Sequence, residues 1–362
     1  MRTNCLKLRL KSFVVSFFVF AVAITAPQFS FAATTAATGS STPDVLIVTP
    51  RDGHAPFTDA IDAAKKQVSM VMFHLSEKSV IASLKAAGTR GVETKVILDR
   101  EIAAKSASAP GIIADLKAAG VQVELSSPAF SITHEKSMLI DGKTLFITSM
   151  NMTTIFSRTR DFGIVTAEKT AIDEYKTFFD TDWSNAQTGA GVTPPDSTDL
   201  VWSPTSSTAK LTALIASAKK TVDIMVENLG SADIQAALSA AAKSGVTIRL
   251  LVPACIEGTA PNRNEPYLDQ LMADGVDARV MAGTPSTAIP YTHAKMMVVD
   301  KHKFYLGSEN FSFNSLTKAR EVGLVRDNAG LAKEISAIFD GDFGAASVRK
   351  NAQVWSCSGH VF

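Results

Sequence analysis

The sequence predicts an α/β protein built from two duplicated α/β/α sandwich domains with mixed sheets, related by a pseudo-twofold axis and sharing one site at their interface. Three observations lead there. The two halves of the chain repeat each other, strand-like and helix-like stretches alternate within each half, and one histidine–lysine motif occurs once per half. With 362 residues, 46% hydrophobic and 20% charged, the chain is long enough for two domains and has the composition of a folded globular protein.

The first 32 residues stand apart. Arg2, Lys7, Arg9 and Lys11 give a basic start, "SFVVSFFVFAVAITA" follows as a short apolar core, and Ser30 and Ala32 supply small residues at a cleavage point. This reads as a secretory signal peptide cut near Ala32. The alternative is an uncleaved anchor, which would want an apolar run closer to the ~20 residues of a spanning helix. Removing residues 1–32 takes away four basic residues and no acidic ones, which leaves 32 basic against 35 acidic, a net of −3. That balance is not the footprint of a general polyanion binder. The expected location is secreted or periplasmic. Cys5 leaves with the segment, so Cys255 and Cys357 form an even pair in an oxidising compartment. A disulfide between them is expected, with two unpaired thiols as the alternative.

The elements follow in order. "DVLIVTP" is a strand, "APFTDAIDAAKKQ" an amphipathic helix, and "VSMVMFHL" a buried strand. "SVIASLKAAGTRG" is a second helix closed by a glycine, "VETKVILD" a strand, "GIIADLKAAG" a third helix and "VQVEL" a strand. Strands alternating with helices imply parallel pairing in this early part. The second copy repeats the series at a shift of 154, matching Pro50 to Pro204, Lys65–Lys66 to Lys219–Lys220, and Gly91–Val92 to Gly245–Val246. At His134 and His293 the shift is 159, so the second copy carries an insert around "CIEGTAPNRNEP". Residues 41–184 and 199–348 are the two domains, 185–198 a linker rich in Gly, Pro, Thr and Ser, and 349–362 a tail.

Residues 132–153, "ITHEKSMLIDGKTLFITSMNMT", and 291–312, "YTHAKMMVVDKHKFYLGSENFS", carry the chemistry. Each reads as a hairpin, turned by "DGK" or "DKHK". Residues two apart share a strand face, so His134 projects with Lys136, and His293 with Lys295. An unpaired ammonium buried in a sheet face is costly, and a bound anion is the partner it lacks. Ser149, Asn151, Ser308 and Asn310 add neutral hydrogen-bonding groups at the end of each hairpin. Two such half-sites meeting across a pseudo-twofold axis suit a phosphodiester. One imidazole attacks phosphorus, the other protonates the leaving oxygen, and the lysines hold the charged oxygens. No second histidine follows His134 at a zinc-binding spacing. His54, His74, His302 and His360 lack the repeated pattern. Phe130, Ile289 and Tyr291 lie just before the two motifs, where they could meet a lipid chain, stack on a base, or simply pack in loops.

The pattern H-x-K-x(4)-D followed by G-S-x-N resembles the signature of the phospholipase D superfamily, in which two copies per chain are common. The resemblance covers nearly the whole chain after the signal segment. It implies a phosphohistidine intermediate and no metal or other cofactor, with His134 as nucleophile and His293 as acid and then base; the near-symmetry leaves the reverse assignment open. It further implies that Lys136, Lys295, Asn151 and Asn310 bind phosphate, with Ser149 and Ser308 in the same phosphate-binding loops. Asp161 in "RDFG" and Glu321 in "REVG" stand where the family often has a carboxylate that orients a histidine. Asp141 and Asp300, on the opposite strand face, are expected to hold the hairpin turn. One position departs: Thr148 stands where the second copy has Gly307. The function implied is a phospholipase D acting as a monomer on phospholipid at a membrane surface. A secreted nuclease and a phosphatidyl transferase are the alternatives, and complete signatures in both copies speak against a catalytically silent binding protein.

Overall fold

Apolar runs bounded by glycine and proline become strands, and in the computed structural model of the chain they assemble into two sheets of nearly identical design. The structure describes residues 43–195, 199–256, 263–281 and 290–349. The proposed signal segment, Ile289, Cys357 and His360 lie outside the described residues.

The first half runs β1 (Val45–Val48), α1 (Ala55–Ala63), β2 (Gln67–Met72), α2 (Lys78–Thr89), β3 (Glu93–Leu98), α3 (Arg100–Lys105), α4 (Ala109–Ala118) and β4 (Gln122–Leu125). It continues with the hairpin β5 (Lys136–Ile140) and β6 (Thr144–Thr148), then β7 (Thr159–Arg160), β8 (Phe162–Thr166) and α5 (Lys169–Thr188). The second half opens with β9 (Leu200–Ser203), α6 (Ser207–Ala216), β10 (Thr221–Val226), β11 (Leu229–Gly230), α7 (Ala232–Lys243) and β12 (Thr247–Pro253). After α8 (Glu265–Ala273), β13 (Asp277–Met281) and β14 (Tyr291–Thr292) comes the second hairpin, β15 (Lys295–Val299) and β16 (Lys303–Gly307). β17 (Phe311–Ser312), α9 (Phe313–Thr317), β18 (Glu321–Asp327), α10 (Ala329–Ala345) and β19 (Ser347–Val348) complete it.

The strand order is β1-β8-β6-β5-β2-β3-β4 in the first sheet and β19-β13-β12-β10-β15-β16-β18-β9 in the second. Read from opposite ends these are the same order, with β19 added at one edge. β2, β3 and β4 pair in parallel, as do β10, β12 and β13, while each hairpin and its outer neighbours pair antiparallel. The mixed, duplicated α/β design expected from the sequence is therefore present. Glycines end the early helices as expected: Gly91 and Gly120, with φ of 79° and 86°, take the left-handed conformation that closes α2 and leads out of α4.

Helices α1, α2 and α4 cover the outer face of the first sheet, and α6, α7 and α8 that of the second, each with its own apolar core. The inner faces are different. They share one core with α5 and α10, in which Val71, Ile147 and Phe178 of the first half meet Trp202, Met296 and Leu306 of the second. Phe178 stacks on Trp202 at 3.9 Å between ring centroids. Each inner layer is thus partly a helix and partly the other half's sheet, because burying two apolar sheet faces against each other leaves neither wet.

Two boundaries move. Residues 185–188, expected in the linker, are the last turn of α5; the helix stops only at Gly189, whose φ of 74° reverses the chain. Asn185 is buried there and binds the backbone of Val192 with both ends of its amide, which ties the following coil to the helix. Arg349, expected in the tail, is buried between Glu265 and Asp269 of α8. Cys255 is disulfide-bonded, while the partner expected for it, Cys357, lies outside the described residues. Among the described residues no helix is long and apolar enough to cross a membrane.

Candidate active site

Strands β5 and β15 begin at the lysines, so His134 and His293 lie two residues ahead of the strands rather than on them. The backbone there is already committed to the sheet: Phe73 N–H donates to Glu135 O and Glu227 N–H to Ala294 O, both at 3.1 Å. Each lysine folds back to donate to the carbonyl of its own histidine. Both ammonium groups are fully buried, with 0% exposure, and each needs further compensation. Lys295 donates to Glu227 at 3.0 Å, whereas Lys136 sits 4.7 Å from the centre of the Phe73 ring, a cation–π contact.

The turns explain the two aspartates. Asp141 and Asp300, both with φ of 52°, occupy the first left-handed position of each hairpin turn. The Asp141 carboxylate accepts the N–H groups of Lys65, Lys66 and Gln67, and Asp300 those of Lys219, Lys220 and Thr221. Burial opposes their charge, but these amides outweigh it and hold both carboxyls below their usual range. The pair pins each hairpin to the start of the neighbouring strand, away from the cleft.

The histidines are joined across the halves. His134 Nδ1 is 2.7 Å from Glu321 Oε2, and His293 Nδ1 is 2.7 Å from Asp161 Oδ1. Short backbone bridges bring this about. β14 pairs with β7, Thr292 opposite Arg160, and His293 N–H donates to Arg160 O at 3.2 Å. Thr133 forms the matching bridge with Arg320, whose N–H donates to Ile132 O at 2.8 Å. In both cases the residue before a histidine in one half pairs with the residue before a carboxylate in the other. Fixing Nδ1 in this way leaves Nε2 of each ring for chemistry.

The Ser149 and Ser308 hydroxyls bond to the strands that follow them. Ser149 Oγ donates to Asp161 Oδ1 at 2.6 Å and accepts Phe162 N–H, and Ser308 Oγ accepts Val322 N–H; both brace the carboxylate-bearing strands from buried positions. Asn310 lines the cleft and accepts Asn228 N–H through Oδ1 at 3.1 Å, while Asn151 Oδ1 is buried with no hydrogen-bond partner among the described residues. Thr148 has a packing reason. Where the second half has the buried Tyr305 hydroxyl donating to Glu309 at 2.6 Å, the first has Phe146 and Met150. A Cβ on Gly307 would lie 2.4 Å from the Tyr305 oxygen, a clash that Phe146 does not impose on Thr148.

Electrostatically the half-sites differ. Burial, reinforced by Lys136 and Lys295, pushes the His134 imidazole well below the usual histidine range. Burial also raises Glu321 to about 7 against the pull of Lys136. Burial opposes charge on Asp161 as well, but His293 and Lys295 prevail and hold it below the usual carboxylate range. Burial, with Lys295 next, brings Lys136 down to about 7.

Phe73, Ile132, His134, Glu227, Asn228 and Asn310 are among the walls of a cleft of about 190 Å³, room for a phosphate and part of what it carries. Among the described residues no group of three or more His, Cys, Asp or Glu is arranged to hold a metal ion. Of the residues flanking the motifs, Tyr291 donates to Glu227 at 2.8 Å and Phe130 packs over Arg320. His54 heads α1, 3.5 Å from Glu77, and His302 pairs with Asp327 at the second turn. Glu227 and Phe73 were not singled out from the sequence. They occupy equivalent positions at the shift of 154, and a carboxylate closing a strand whose counterpart closes with phenylalanine is the signal that was there to find.

The family model described as "Cardiolipin synthase, PLD-like domain" matches residues 57–183 and 211–343, one segment in each half. This chain belongs to that PLD-like family. Among curated relatives, the 5'-3' exonuclease PLD3 of Rattus norvegicus is 35% identical over 104 residues, which is 28% of this chain and 20% of that protein. Phospholipase D of Rickettsia bellii (strain RML369-C) is 28% identical over 121 residues, 33% of this chain and 58% of the relative. This PLD-like chain thus matches only about a fifth of the exonuclease's length. Among solved structures, phosphatidylserine synthase from Haemophilus influenzae Rd KW20 superposes with a TM-score of 0.65 at 11% identity over 87% of both chains. Polyphosphate kinase from Porphyromonas gingivalis gives 0.63 at 16% identity over 86% of this chain and 51% of the other. Those likenesses establish the PLD-like fold.

Proposed function

We propose that the protein is a phosphodiesterase of the phospholipase D type, which cleaves the head-group phosphodiester of phospholipids to leave phosphatidate. The observation that carries this reading is the crossed arrangement of the histidines: each ring is held through Nδ1 by the other half's carboxylate, and each histidine's backbone carbonyl accepts a buried lysine ammonium two residues on. His134, the ring pushed toward neutrality, has a lone pair on Nε2 to attack phosphorus. His293 gives its Nε2 proton to the departing head-group oxygen. Lys136 and Lys295, with Asn151 and Asn310, stabilise the charge on the non-bridging oxygens. The phosphorus–nitrogen bond so formed on His134 is then opened by water. His293, now neutral, takes the water's proton, so both rings regain their starting states. If an alcohol replaces water the same steps give phosphatidyl transfer.

The apolar wall of Phe73, Ile132 and Ile256 beside the charged centre supports a lipid substrate, as does similarity to the Rickettsia phospholipase D. A nuclease is the second reading, favoured by the local identity to the exonuclease PLD3. This proposal takes the protein to be secreted or periplasmic after cleavage near Ala32, and to work as a monomer with no metal or other cofactor.

The test is head-group release from phosphatidylcholine and phosphatidylethanolamine vesicles in excess chelator, beside single-stranded DNA with a free 5′ end and a His293→Ala control. Release from vesicles that disappears in the variant is the expected result. Nucleotide release with silent vesicles would replace the lipid reading by the nuclease one, and inactivity toward both from folded protein would overturn the phosphodiesterase reading.

A further inference from the structure

Glu227 is the residue at the centre of the site that the duplication does not account for. Its side chain is 5% exposed, and its equivalent in the first half is Phe73. Oε1 accepts the Tyr291 hydroxyl at 2.8 Å, and Oε2 accepts Lys295 Nζ at 3.0 Å. The same Oε2 lies 3.6 Å from His293 Nε2, the ring atom left free by Asp161. Phe73, by contrast, puts a ring edge-on against His134 at 4.6 Å and a π face over Lys136. One lysine is therefore already matched by a carboxylate before any substrate arrives, and the other is not. Burial works against the Glu227 charge, yet Lys295 and His293 hold this carboxyl at about 2, so it is ionised throughout the working range of any such enzyme.

We propose that Glu227 makes the pocket selective for singly charged phosphodiesters over doubly charged phosphate monoesters. The proposal rests on the phosphodiester reading of this site and goes beyond it. A phosphodiester brings one negative charge, and the oxygen nearest His293 Nε2 is esterified and uncharged. A phosphate monoester at neutral pH carries close to two charges, its second ionisation falling near pH 6. One of its charged oxygens replaces an esterified oxygen of the diester, which brings a second negative charge into a buried site that already holds the Glu227 carboxylate. Like charges repel strongly when water does not screen them. The positive charge left over after Glu227 has matched Lys295 suits a monoanion.

The experiment compares the wild-type chain with Glu227→Gln, which removes the charge, keeps one oxygen to accept Lys295, and turns its amide N–H toward the Tyr291 hydroxyl oxygen. Bis(p-nitrophenyl) phosphate is the turnover probe. Phenyl phosphate and diphenyl phosphate are titrated calorimetrically and as competitors at about pH 7, where the monoester is mostly the dianion and Lys136 still carries charge. Phenyl phosphate is expected to bind at least about tenfold more tightly to Glu227→Gln, with diphenyl phosphate changed by less than about threefold. A purely structural role would move both ligands together. Equal changes for the two, or no binding of either by both proteins, would overturn the proposal. Should bis(p-nitrophenyl) phosphate go uncleaved, the phosphodiesterase reading fails, and the calorimetric ratio still decides the role of Glu227. If Glu227→Gln does not fold, Phe73→Glu supplies the converse. A second carboxylate beside Lys136 is expected to weaken phenyl phosphate about tenfold more than diphenyl phosphate, and an unchanged ratio would refute the idea.

Discussion

His134 and His293 look equivalent as letters in a repeat, but their surroundings are not. Burial and two nearby ammonium groups keep His134, the proposed nucleophile, neutral to lower pH than the ordinary value of 6.5. Lys136, lowered to about 7 by burial and by Lys295, loses its charge as pH rises past that value. Glu321, raised to about 7, must be ionised to take the Nδ1 proton and leave Nε2 its lone pair, so the acid and alkaline limbs of kcat/KM are both expected near pH 7, giving a narrow optimum about neutrality. Bound phosphate favours the charged lysine, so the alkaline limb of kcat should lie higher. A kcat/KM that keeps rising above pH 8 would refute this. The crossed carboxylates make a second prediction. Asp161→Asn removes the carboxylate charge that holds His293 from the opposite half and is expected to lower kcat by about 10²-fold or more with little change in KM, read from steady-state kinetics. The motif residues were legible in the sequence because they occur twice. The crossed pairing was not, since nothing in "RDFG" or "REVG" says which half each carboxylate serves, and Glu227 was hidden because the repeat offers phenylalanine in its place.

The hairpins β5–β6 and β15–β16 show how one element can be built with two turn chemistries. Asp141 is followed by Gly142, whose φ of 65° is free for glycine, whereas Asp300 is followed by Lys301 at a φ of 54°. A lysine there carries the Cβ penalty of the left-handed region. Lys301→Gly is expected to stabilise the protein by about 1 kcal/mol, less the entropy that glycine adds to the unfolded chain. Thermal or urea unfolding measures the difference, and a destabilised variant would contradict it. Asp300→Ala acts in the opposite direction. It strips an acceptor from three N–H groups and is expected to cost about 1–3 kcal/mol at neutral pH. Because the folded carboxyl titrates below its usual range, the contribution is present above that range and fades as pH falls through it. The turn role of these aspartates could be read from "DGK" and "DKHK". The bridges between β7 and β14 and between Thr133 and Arg320 could not, being set only when the two halves meet.

At the scale of the molecule, the two halves are not separable beads. The core between the sheets draws on both, and the buried Arg320 guanidinium of the second half pairs with Asp182 of the first at 2.7 Å while lying over Phe178 and Trp202. Removing one partner of such a buried pair typically costs about 3–5 kcal/mol. The chain is expected to unfold in one transition with equal calorimetric and van't Hoff enthalpies, and Asp182→Ala should shift that transition without splitting it. Two resolved transitions would contradict the shared core. Duplication, layer type and sheet design were readable because each half satisfies its own periodicity. The inner layer was not, since an apolar strand face does not say whether a helix or another sheet will cover it.

The central claim is that the two halves make one catalytic unit in which His134 attacks and His293 assists. Bis(p-nitrophenyl) phosphate tests it most directly, because nitrophenol departs without needing an acid. Incubated with His293→Ala, it should release a burst of about one nitrophenol per protein, and mass spectrometry of the digested protein should find the phosphoryl adduct on the peptide containing His134. His134→Ala should give neither burst nor adduct. An adduct on His293 in His134→Ala, with none on His134 in the other variant, would contradict the account.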